Sequence, residues 1–596
     1  MLSRFKRLFP YMWRHRAALL MGLVCLFLGN YFEIRIGVLL GTGVDLIALD
    51  FNGFAALQRG LLLLFVLMVV GVALGFAFAR FWMRRLIINV SRHVEYHFRN
   101  DFFRHLLTMP PSFYDRYRTG DLMSRATSDI EAVRTVIGPA FMYISNTLVI
   151  IPMAVIQMLH ISPPLTGLCW LPMILIAPLF HFFSRRIHRR FRRCQERLSD
   201  LSANVQESLS GVRVIKVHAR EDQQARRFER LSSQYVVENM RLARLQALFI
   251  PSLMFLVGLA VLMLLWGGAA LIIAGRLTIG GLVTFFVLLM ASIWPMAAFG
   301  WVLAQLERGA ASMSRIEEIL QQTSELTQAS QQTPPAETAS PLEGHVTSSN
   351  LTFHYPGAET PALQNINLDL PAGNILGVTG PVGCGKSTLA ALLARRYNPP
   401  RGALFLDGRD ILDWNPDDLR RQIGIVDQEP FLFSDTLAAN ISFGLEGPES
   451  DHHAPAVHNA AEVAQLTGEI EAFPQGFATL LGERGVNLSG GQRQRAALAR
   501  ALARQPRLLI LDDALAAVDT HTEEAILHGL RDLMRRRTTI LISHRISTVA
   551  LADHVLYMEN GRITEEGTHA NLMAKRGRYY RLARRQRLAE EIERTA

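Results

Sequence analysis

The stretch Gly380-Pro381-Val382-Gly383-Cys384-Gly385-Lys386-Ser387 decides the fold of the C-terminal half of the chain. It fits the pattern G-x-x-x-x-G-K-[S/T] at every fixed position. The apolar run Ile375–Val378 before it predicts a buried strand, and Leu389–Arg396 after it predicts a helix. In such a strand–loop–helix unit, glycines let backbone N–H groups surround phosphates at a helix N-terminus. The stretch therefore predicts a nucleoside triphosphate site, in which Lys386 reaches the phosphates and Ser387 ligates Mg²⁺.

The composition indicates a membrane protein. Of the 596 residues, 49% are hydrophobic and only 19% are charged, which is too apolar for an ordinary soluble enzyme. The net charge of +10 would suit nucleic acid, but the arginines cluster beside long apolar runs, as they do at a cytoplasmic membrane face. We therefore expect no nucleic-acid partner. The four cysteines show no paired spacing, so we expect no disulfide and no cysteine-based metal site.

Apolar segments predict six membrane spans of about 20 residues each. The first span is expected to begin near Ala17 and the second to cover Leu61–Ala79. The uncharged run Thr135–Ser184 holds the third and fourth spans, joined near Ser162-Pro163-Pro164. The fifth lies within Leu245–Gly275, and the sixth follows Arg276 and ends before Glu307. Arginine-rich segments at the N-terminus, Arg80–Arg134 and Arg185–Arg244 place both termini and both long loops in the cytoplasm. Apolar residues at helical spacing in those loops predict helices that continue well beyond the bilayer.

Two charged residues, Glu33 and Arg35, lie late in the first span. Charges at membrane depth usually face a cavity or a partner and indicate a transport path. Alternatively, the helix has already reached the outer headgroups at Glu33. The sequence leaves both interpretations open.

The chain changes character after the spans. Gln321–Gly344 is rich in Gln, Thr, Ser, Pro and Ala and predicts a linker. The predicted fold class is an all-α six-helix transmembrane domain followed by an α/β P-loop nucleotide-binding domain. The expected boundaries are 1–321 for the transmembrane domain, 322–344 for the linker, 345–581 for the nucleotide-binding domain and 582–596 for a charged, solvated C-terminal helix.

Three further stretches complete the predicted site. Arg507–Asp512 is an apolar strand that ends in a carboxylate suited to the Mg²⁺ shell. Leu488-Ser489-Gly490-Gly491-Gln492 opens a helix rich in Ala and Arg, whose first N–H groups can bind a phosphate. Thr538–Ser543 predicts a second buried strand with His544 at its end.

On these motifs the chain resembles the ATP-binding cassette transporters over nearly its whole length. The signature Leu488–Gln492 is the most specific part of the match. The runs Ile293–Met296 and Glu307–Gly309 resemble the MdlA-type branch of multidrug-resistance-like half transporters. Phe113–Arg134 and Glu207–Phe228 resemble the two loops that carry coupling helices in half-size exporters.

The resemblance implies roles for individual residues. Tyr355 is similar to the aromatic residue that stacks on adenine, Gln428 to the glutamine that senses Mg²⁺ and the attacking water, and His544 to the γ-phosphate switch. Gly482–Gly485 resembles a loop that contacts the membrane domain, and Asp519 a residue that crosses to the opposite site. The implied catalytic residues are Asp513, His544 and Gln428; the implied metal ligands are Ser387, Gln428 and Asp512; and the implied ATP-binding residues are Tyr355, Gly380, Pro381, Val382, Gly383, Cys384, Gly385, Lys386, Ser387, Thr388, Asp512, Ser489, Gly490, Gly491 and Gln492.

One position departs from the pattern of active cassettes. Their Walker B aspartate is followed by a glutamate that orients the attacking water, whereas this chain has Asp512-Asp513. The shorter side chain holds its carboxylate back by over an ångström on ordinary bond lengths. A positioned base contributes roughly 10²–10⁴-fold, so we expect this site to bind ATP but to hydrolyse it poorly. Asp427, where the family usually has proline, and Ala516–Asp519 also depart.

The signature Leu488–Gln492 is nevertheless intact. In this family two cassettes close head to tail, so that signature could complete a competent site on a partner that has its own glutamate. The resemblance therefore implies one subunit of a heterodimeric exporter in the bacterial inner membrane, in contact with lipids and carrying amphipathic drugs or lipids. The alternatives are a homodimeric exporter with slow ATPase activity and an ATP-gated channel or regulator.

Overall fold

The computed structural model describes residues 2–49, 57–323, 341–445, 454–482 and 485–595. The chain forms two compact units, one made of Met1–His105 with Gly120–Gln322 and the other of Leu106–Thr119 with Thr323–Ala596. The first unit is helical, and the second is built on two β-sheets with flanking helices. This architecture confirms the predicted fold class. Most of the predicted linker 322–344 lies outside the described residues.

Twelve α-helices precede the first strand in the described part of the chain. They are α1 (Phe9–Trp13), α2 (Arg16–Leu49), α3 (Leu57–Leu107), α4 (Pro111–Arg116), α5 (Thr119–Ser124), α6 (Ile130–Thr135), α7 (Phe141–Ile161), α8 (Pro163–Ile174), α9 (Ile176–Ser210), α10 (Val212–Val217), α11 (Glu221–Ile273) and α12 (Ile279–Leu320). Turns of 3₁₀- and π-helix, at Leu2–Leu8, Arg125–Asp129 and Val136–Ala140, complete the set. Within the described residues, six helical spans are long and apolar enough to cross a membrane, as predicted.

Several of these helices are much longer than a bilayer requires. Helix α3 has 51 residues and α11 has 53. At about 1.5 Å per residue these helices are roughly 75–80 Å long, whereas the hydrocarbon core is about 30 Å thick. The helices therefore continue well beyond the bilayer, as the apolar periodicity of the loops predicted.

The structure gives Glu33 a partner on a neighbouring helix. Its carboxylate lies 3.7 Å from a guanidinium nitrogen of Arg80 on α3. Arg80 also donates to Asn146 Oδ1 of α7 at 3.2 Å. Arg35 instead donates to the Tyr31 hydroxyl one turn away on its own helix, at 3.0 Å. Of the two charges, only Glu33 thus belongs to a polar contact between helices.

The described residues of the second unit form ten strands in two sheets. They are β1 (Val346–Phe353), β2 (Leu363–Leu370), β3 (Ile375–Thr379), β4 (Leu404–Leu406), β5 (Arg409–Asp410), β6 (Ile423–Val426), β7 (Leu508–Asp512), β8 (Thr538–Ile542), β9 (His554–Glu559) and β10 (Arg562–Gly567). The four-stranded sheet has the order β2-β1-β4-β5, and the six-stranded sheet has the order β10-β9-β3-β8-β7-β6. In the larger sheet every neighbouring pair is parallel except β9 and β10.

Buried strands form the centre of the larger sheet. Every residue of β3, β7 and β8 is buried, as expected for a parallel sheet that is covered on both faces. Besides α4, the described α-helices of this unit are α13 (Lys386–Leu393), α14 (Pro416–Gln422), α15 (Leu437–Ser442), α16 (Ala454–Val463), α17 (Thr467–Ala472), α18 (Gly490–Ala503), α19 (Thr520–Met534), α20 (Ile546–Val549), α21 (His569–Lys575) and α22 (Arg578–Thr595). The parallel pairing brings the carboxyl ends of β3, β8, β7 and β6 to one sheet edge, where a ligand site is expected.

Candidate active site

The phosphate loop connects β3 to α13. Lys386 is buried, and its ammonium donates to the carbonyls of Gly380 and Pro381 at 3.0 and 2.9 Å. The backbone is left-handed at Gly385, with φ of 100°, and a Cβ there would lie 2.6 Å from the Ala362 carbonyl oxygen. Glycine is therefore required at that position. The loop wraps the start of α13 as the sequence pattern predicted.

The end of β7 supplies a buried carboxylate next to this loop. Asp512 is 7% exposed, and the Ser387 side chain hydrogen-bonds it. Burial is the largest cause of a raised pKa of Asp512, and the charges of Asp513 and Asp427 raise the pKa further, whereas Ser387 and Lys386 lower it. A nearby divalent cation would relieve this crowding of negative charge.

The oxygens of Ser387 and Asp512 fit Mg²⁺, which prefers oxygen ligands and few protein groups. Within the described part of the chain, no cluster of three or more His, Cys, Asp or Glu residues could hold a metal by itself. Phosphate oxygens and water molecules would complete the shell around these side chains. Gln428, the third predicted ligand, follows β6 at the same sheet edge, and its side chain is exposed.

The second aspartate of the pair makes contacts that differ from those of the first. Asp513 is 7% exposed and adopts the left-handed backbone conformation, with φ of 48°. Its carboxylate accepts the His544 backbone N–H at 3.2 Å and lies 3.3 Å from His544 Nε2. The strand-end pairing, with the Asp513 N–H donating to the Ile542 carbonyl at 2.9 Å, fixes this position. The structure therefore joins two predicted catalytic residues, Asp513 and His544.

Gln494, which the sequence analysis did not identify, connects three segments of the site. Its amide nitrogen donates to the carbonyls of Gln428 and Asp513 at 3.4 and 3.5 Å, and its oxygen accepts the Ala517 N–H at 2.8 Å. The side chain is 4% exposed. A glutamine within an Ala- and Arg-rich helix has no local pattern that would have predicted this role.

An aromatic cluster lies beside the phosphate-loop helix. The Tyr355 hydroxyl is 3.1 Å from Thr388 Oγ1, and the rings of Tyr355 and Tyr397 meet edge to face with centroids 5.1 Å apart. The Tyr397 hydroxyl donates to Asp115 of α4 at 2.5 Å, and burial, followed by this hydrogen bond, raises the pKa of Tyr397. Tyr355 and Thr388, both predicted to bind ATP, are therefore close to each other. The sequence did not predict that Tyr397 belongs to this aromatic cluster.

The signature forms a helix start. Ser489 caps α18 in a capping box with Gln492, with bonds of 2.8 and 3.2 Å between them. Among the described residues, no hydrogen bond or ion pair links Leu488–Gln492 to the phosphate loop of the same chain. Asp519 caps α19 by accepting the Thr522 N–H at 2.9 Å, and these hydrogen bonds lower the pKa of Asp519. Glu483 and Arg484 of the predicted contact loop lie outside the described residues.

Asp427 makes a bidentate ion pair with Arg396, which follows α13 and its C-terminal turn. The two guanidinium nitrogens lie 2.7 and 2.8 Å from the two carboxylate oxygens. Burial lowers the pKa of Arg396, but the hydrogen bonds and charge of Asp427 outweigh this effect and raise it. The pair attaches the segment that leads into Gln428 to the end of the phosphate-loop helix.

We expect Asp427→Arg or Arg396→Asp to weaken Mg²⁺-dependent ATP binding about tenfold, because two like charges would then displace the Gln428 segment. The double reversal, which restores opposite charges, should recover binding to within about threefold of wild type. Equilibrium binding of MgATP to the full-length chain measures both effects. A double variant as weak as either single variant would show that the ion pair does not position Gln428.

Comparisons with known proteins agree with this geometry. The family described as ABC transporter transmembrane region matches residues 19–296, and the family described as ABC transporter matches residues 363–516. The chain is 36% identical to the multidrug resistance-like ATP-binding protein MdlA of Escherichia coli, covering 90% of this chain and 89% of MdlA. It is 32% identical to the ATP-dependent lipid A-core flippase of Photobacterium profundum, covering 98% of each.

A solved structure agrees over a similar length. The structure of a bacterial Atm1-family ABC exporter with ATP bound superimposes with a TM-score of 0.77 and 26% sequence identity. The match covers 96% of this chain and 99% of that one. The likeness therefore includes both the membrane helices and the nucleotide-binding unit.

Proposed function

The chain belongs to the ATP-binding cassette exporters, with membrane region and cassette fused. From that premise we propose that it is one subunit of a heterodimer and that its own ATP site is degenerate, meaning that it binds ATP but hydrolyses it poorly. Its family makes it an ATPase-coupled translocase. The proposed cargo is amphipathic drugs or lipids, and the proposed location is the bacterial inner membrane with both termini in the cytoplasm. The proposed domain limits are 1–321 for the transmembrane domain and 345–581 for the cassette; the C-terminal helix, expected over 582–596, instead begins at Arg578.

The contact between Asp513 and His544 carries the proposal. The Asp513 carboxylate accepts the His544 backbone N–H at 3.2 Å and lies 3.3 Å from the imidazole Nε2. A carboxylate that is short and already engaged by the switch residue is poorly placed to activate water. The capping box at Ser489 and Gln492 gives the signature an ordered helix start, which supports its use by a partner's site.

The proposed roles of the remaining residues follow from their positions. Lys386 and the loop N–H groups would bind phosphates, and Tyr355 would stack on adenine. Ser387, Asp512 and Gln428 would hold Mg²⁺, which neutralises charge during phosphoryl transfer. Ser489 and the glycines after it would bind the partner's nucleotide.

Two features support an amphipathic cargo. The six spans are apolar, and the described spanning helices expose large aliphatic and aromatic side chains. Helices α3 and α7 meet near Arg80 and Asn146, which are polar groups among apolar neighbours. The names of two relatives, one multidrug resistance-like and one a lipid A-core flippase, are compatible with either drugs or lipids.

The test is uphill transport. Inside-out vesicles containing the chain and a candidate partner should accumulate a fluorescent amphipathic dye or lipid analogue against its gradient with MgATP. They should not do so with a slowly hydrolysed ATP analogue. A channel or regulator would instead allow only downhill equilibration with either nucleotide, and that result would reject export.

A further inference from the structure

The C-terminal helix α22 is held firmly on the nucleotide-binding unit. Glu565 of β10 accepts the backbone N–H groups of Arg578 and Tyr579, at 2.5 and 3.1 Å. Tyr579 is fully buried, and its hydroxyl lies 2.8 Å from His569 Nδ1. The helix begins at Arg578, before the expected boundary at 582, and its first turns pack into the core. It is therefore more than a solvated extension.

Gln586 of this helix contacts the backbone directly after the switch histidine, on both sides of Arg545. Its amide nitrogen donates to the His544 carbonyl at 2.5 Å, and its amide oxygen accepts the Ile546 N–H at 2.9 Å. One side chain thus uses its donor and its acceptor on the same short segment, after the end of β8. Such a two-point contact restricts where the peptide of His544 can lie.

The same segment has further partners in Asp513, which follows β7, and Glu523 of α19. Asp513 accepts the His544 backbone N–H at 3.2 Å. Arg545 pairs with Glu523, which is 3% exposed and also accepts the Thr548 hydroxyl at 2.5 Å. Among these partners, Gln586 is the one that binds the His544 carbonyl. Its loss would leave that side of the peptide unsupported.

We propose that Gln586 is a positioning residue of the ATP site, through which α22 fixes the position of His544 relative to the phosphate loop. The inference rests on the proposed function, in which His544 contacts the γ-phosphate. Gln586 itself touches no nucleotide. Its effect should therefore appear only in interactions that require the third phosphate, and ADP binding should be insensitive to it.

The experiment compares binding of MgATPγS and MgADP to the full-length chain in nanodiscs. Gln586→Leu, which removes both contacts, should weaken MgATPγS binding about tenfold and leave MgADP affinity within about twofold. Gln586→Glu keeps the acceptor for Ile546 but places a carboxylate against the His544 carbonyl, so it should resemble the Leu variant. Because binding is measured, the result does not depend on whether Asp513 supports hydrolysis.

Two controls separate positioning from general stability. Arg584→Ala alters an exposed residue on the same helix and should change neither affinity. In a His544→Ala background, Gln586→Leu should add no further loss of MgATPγS affinity, because the group that it positions is gone. An equal loss for both nucleotides, or the same loss in the His544→Ala background, would assign Gln586 a merely structural role.

The inference and the proposed function fail in different ways. If the wild-type chain binds both nucleotides and Gln586→Leu leaves their ratio unchanged, only the positioning role is overturned. If the wild-type chain binds neither nucleotide, the proposed ATP site is wrong, and the inference fails with it.

Discussion

Asp513→Glu is expected to raise ATP hydrolysis at this chain's own site by about 10²-fold or more, within the roughly 10²–10⁴-fold range of a positioned base. Asp513 lies at the end of β7 beside His544, and its carboxylate is engaged at 3.2 and 3.3 Å. One added methylene extends the carboxylate by over an ångström, which is the distance by which Asp513 falls short of the glutamate of active cassettes. The backbone position, fixed by the Ile542 carbonyl, need not change.

The measurement isolates this site within the proposed heterodimer. The chain is combined with a candidate partner whose Walker B glutamate is replaced by glutamine, so that only the site built on Asp512 and Asp513 can respond. Asp532→Glu, the same change at an exposed position of α19, serves as the matched control and should have no effect. No increase with Asp513→Glu would mean that something other than side-chain length limits this site.

Lys386→Met is expected to weaken MgATP binding by about 10²-fold. The Lys386 ammonium is buried and lies within 3.0 Å of two loop carbonyls, where phosphate oxygens could replace those acceptors. Charge-assisted hydrogen bonds to phosphate contribute about 1.5–3 kcal/mol each, and methionine keeps the apolar stem while removing the charge. The loss should therefore appear in affinity rather than in folding.

The matched control is Lys575→Met, the same change at an exposed lysine of α21. Equilibrium binding of MgATP to the full-length chain gives the affinities, and thermal unfolding reports the fold. An affinity of Lys386→Met within about threefold of the control would exclude this loop as the main phosphate contact.

The sequence predicted the parts of the site that depend on local patterns. Glycines at fixed spacing between a strand and a helix identify the loop Gly380–Ser387, because backbone conformation and phosphate access both require them. Asp512 and His544 were found because each ends or follows an apolar run that forms a parallel strand. Six apolar segments of sufficient length likewise predicted the membrane helices.

The missed contacts are long-range and have no local signature. Tyr397 and Asp115 are 282 positions apart, and Gln586 and His544 are 42 apart, so only the folded chain brings them together. Gln494 lies in a helix rich in Ala and Arg, and only its contacts with Gln428, Asp513 and Ala517 in the folded chain show its role.

We propose that this chain's site binds ATP and that the partner's site hydrolyses it. The most direct test is the steady-state ATPase rate of the purified chain, alone and with a candidate partner. We expect a low rate for the chain alone. With the partner, the rate should rise by about 10²-fold or more, and this rise should be lost when the partner's Walker B glutamate is replaced. Rapid hydrolysis by the chain alone that disappears in Asp513→Ala would rule out a degenerate site, because Asp513 would then be an adequate base.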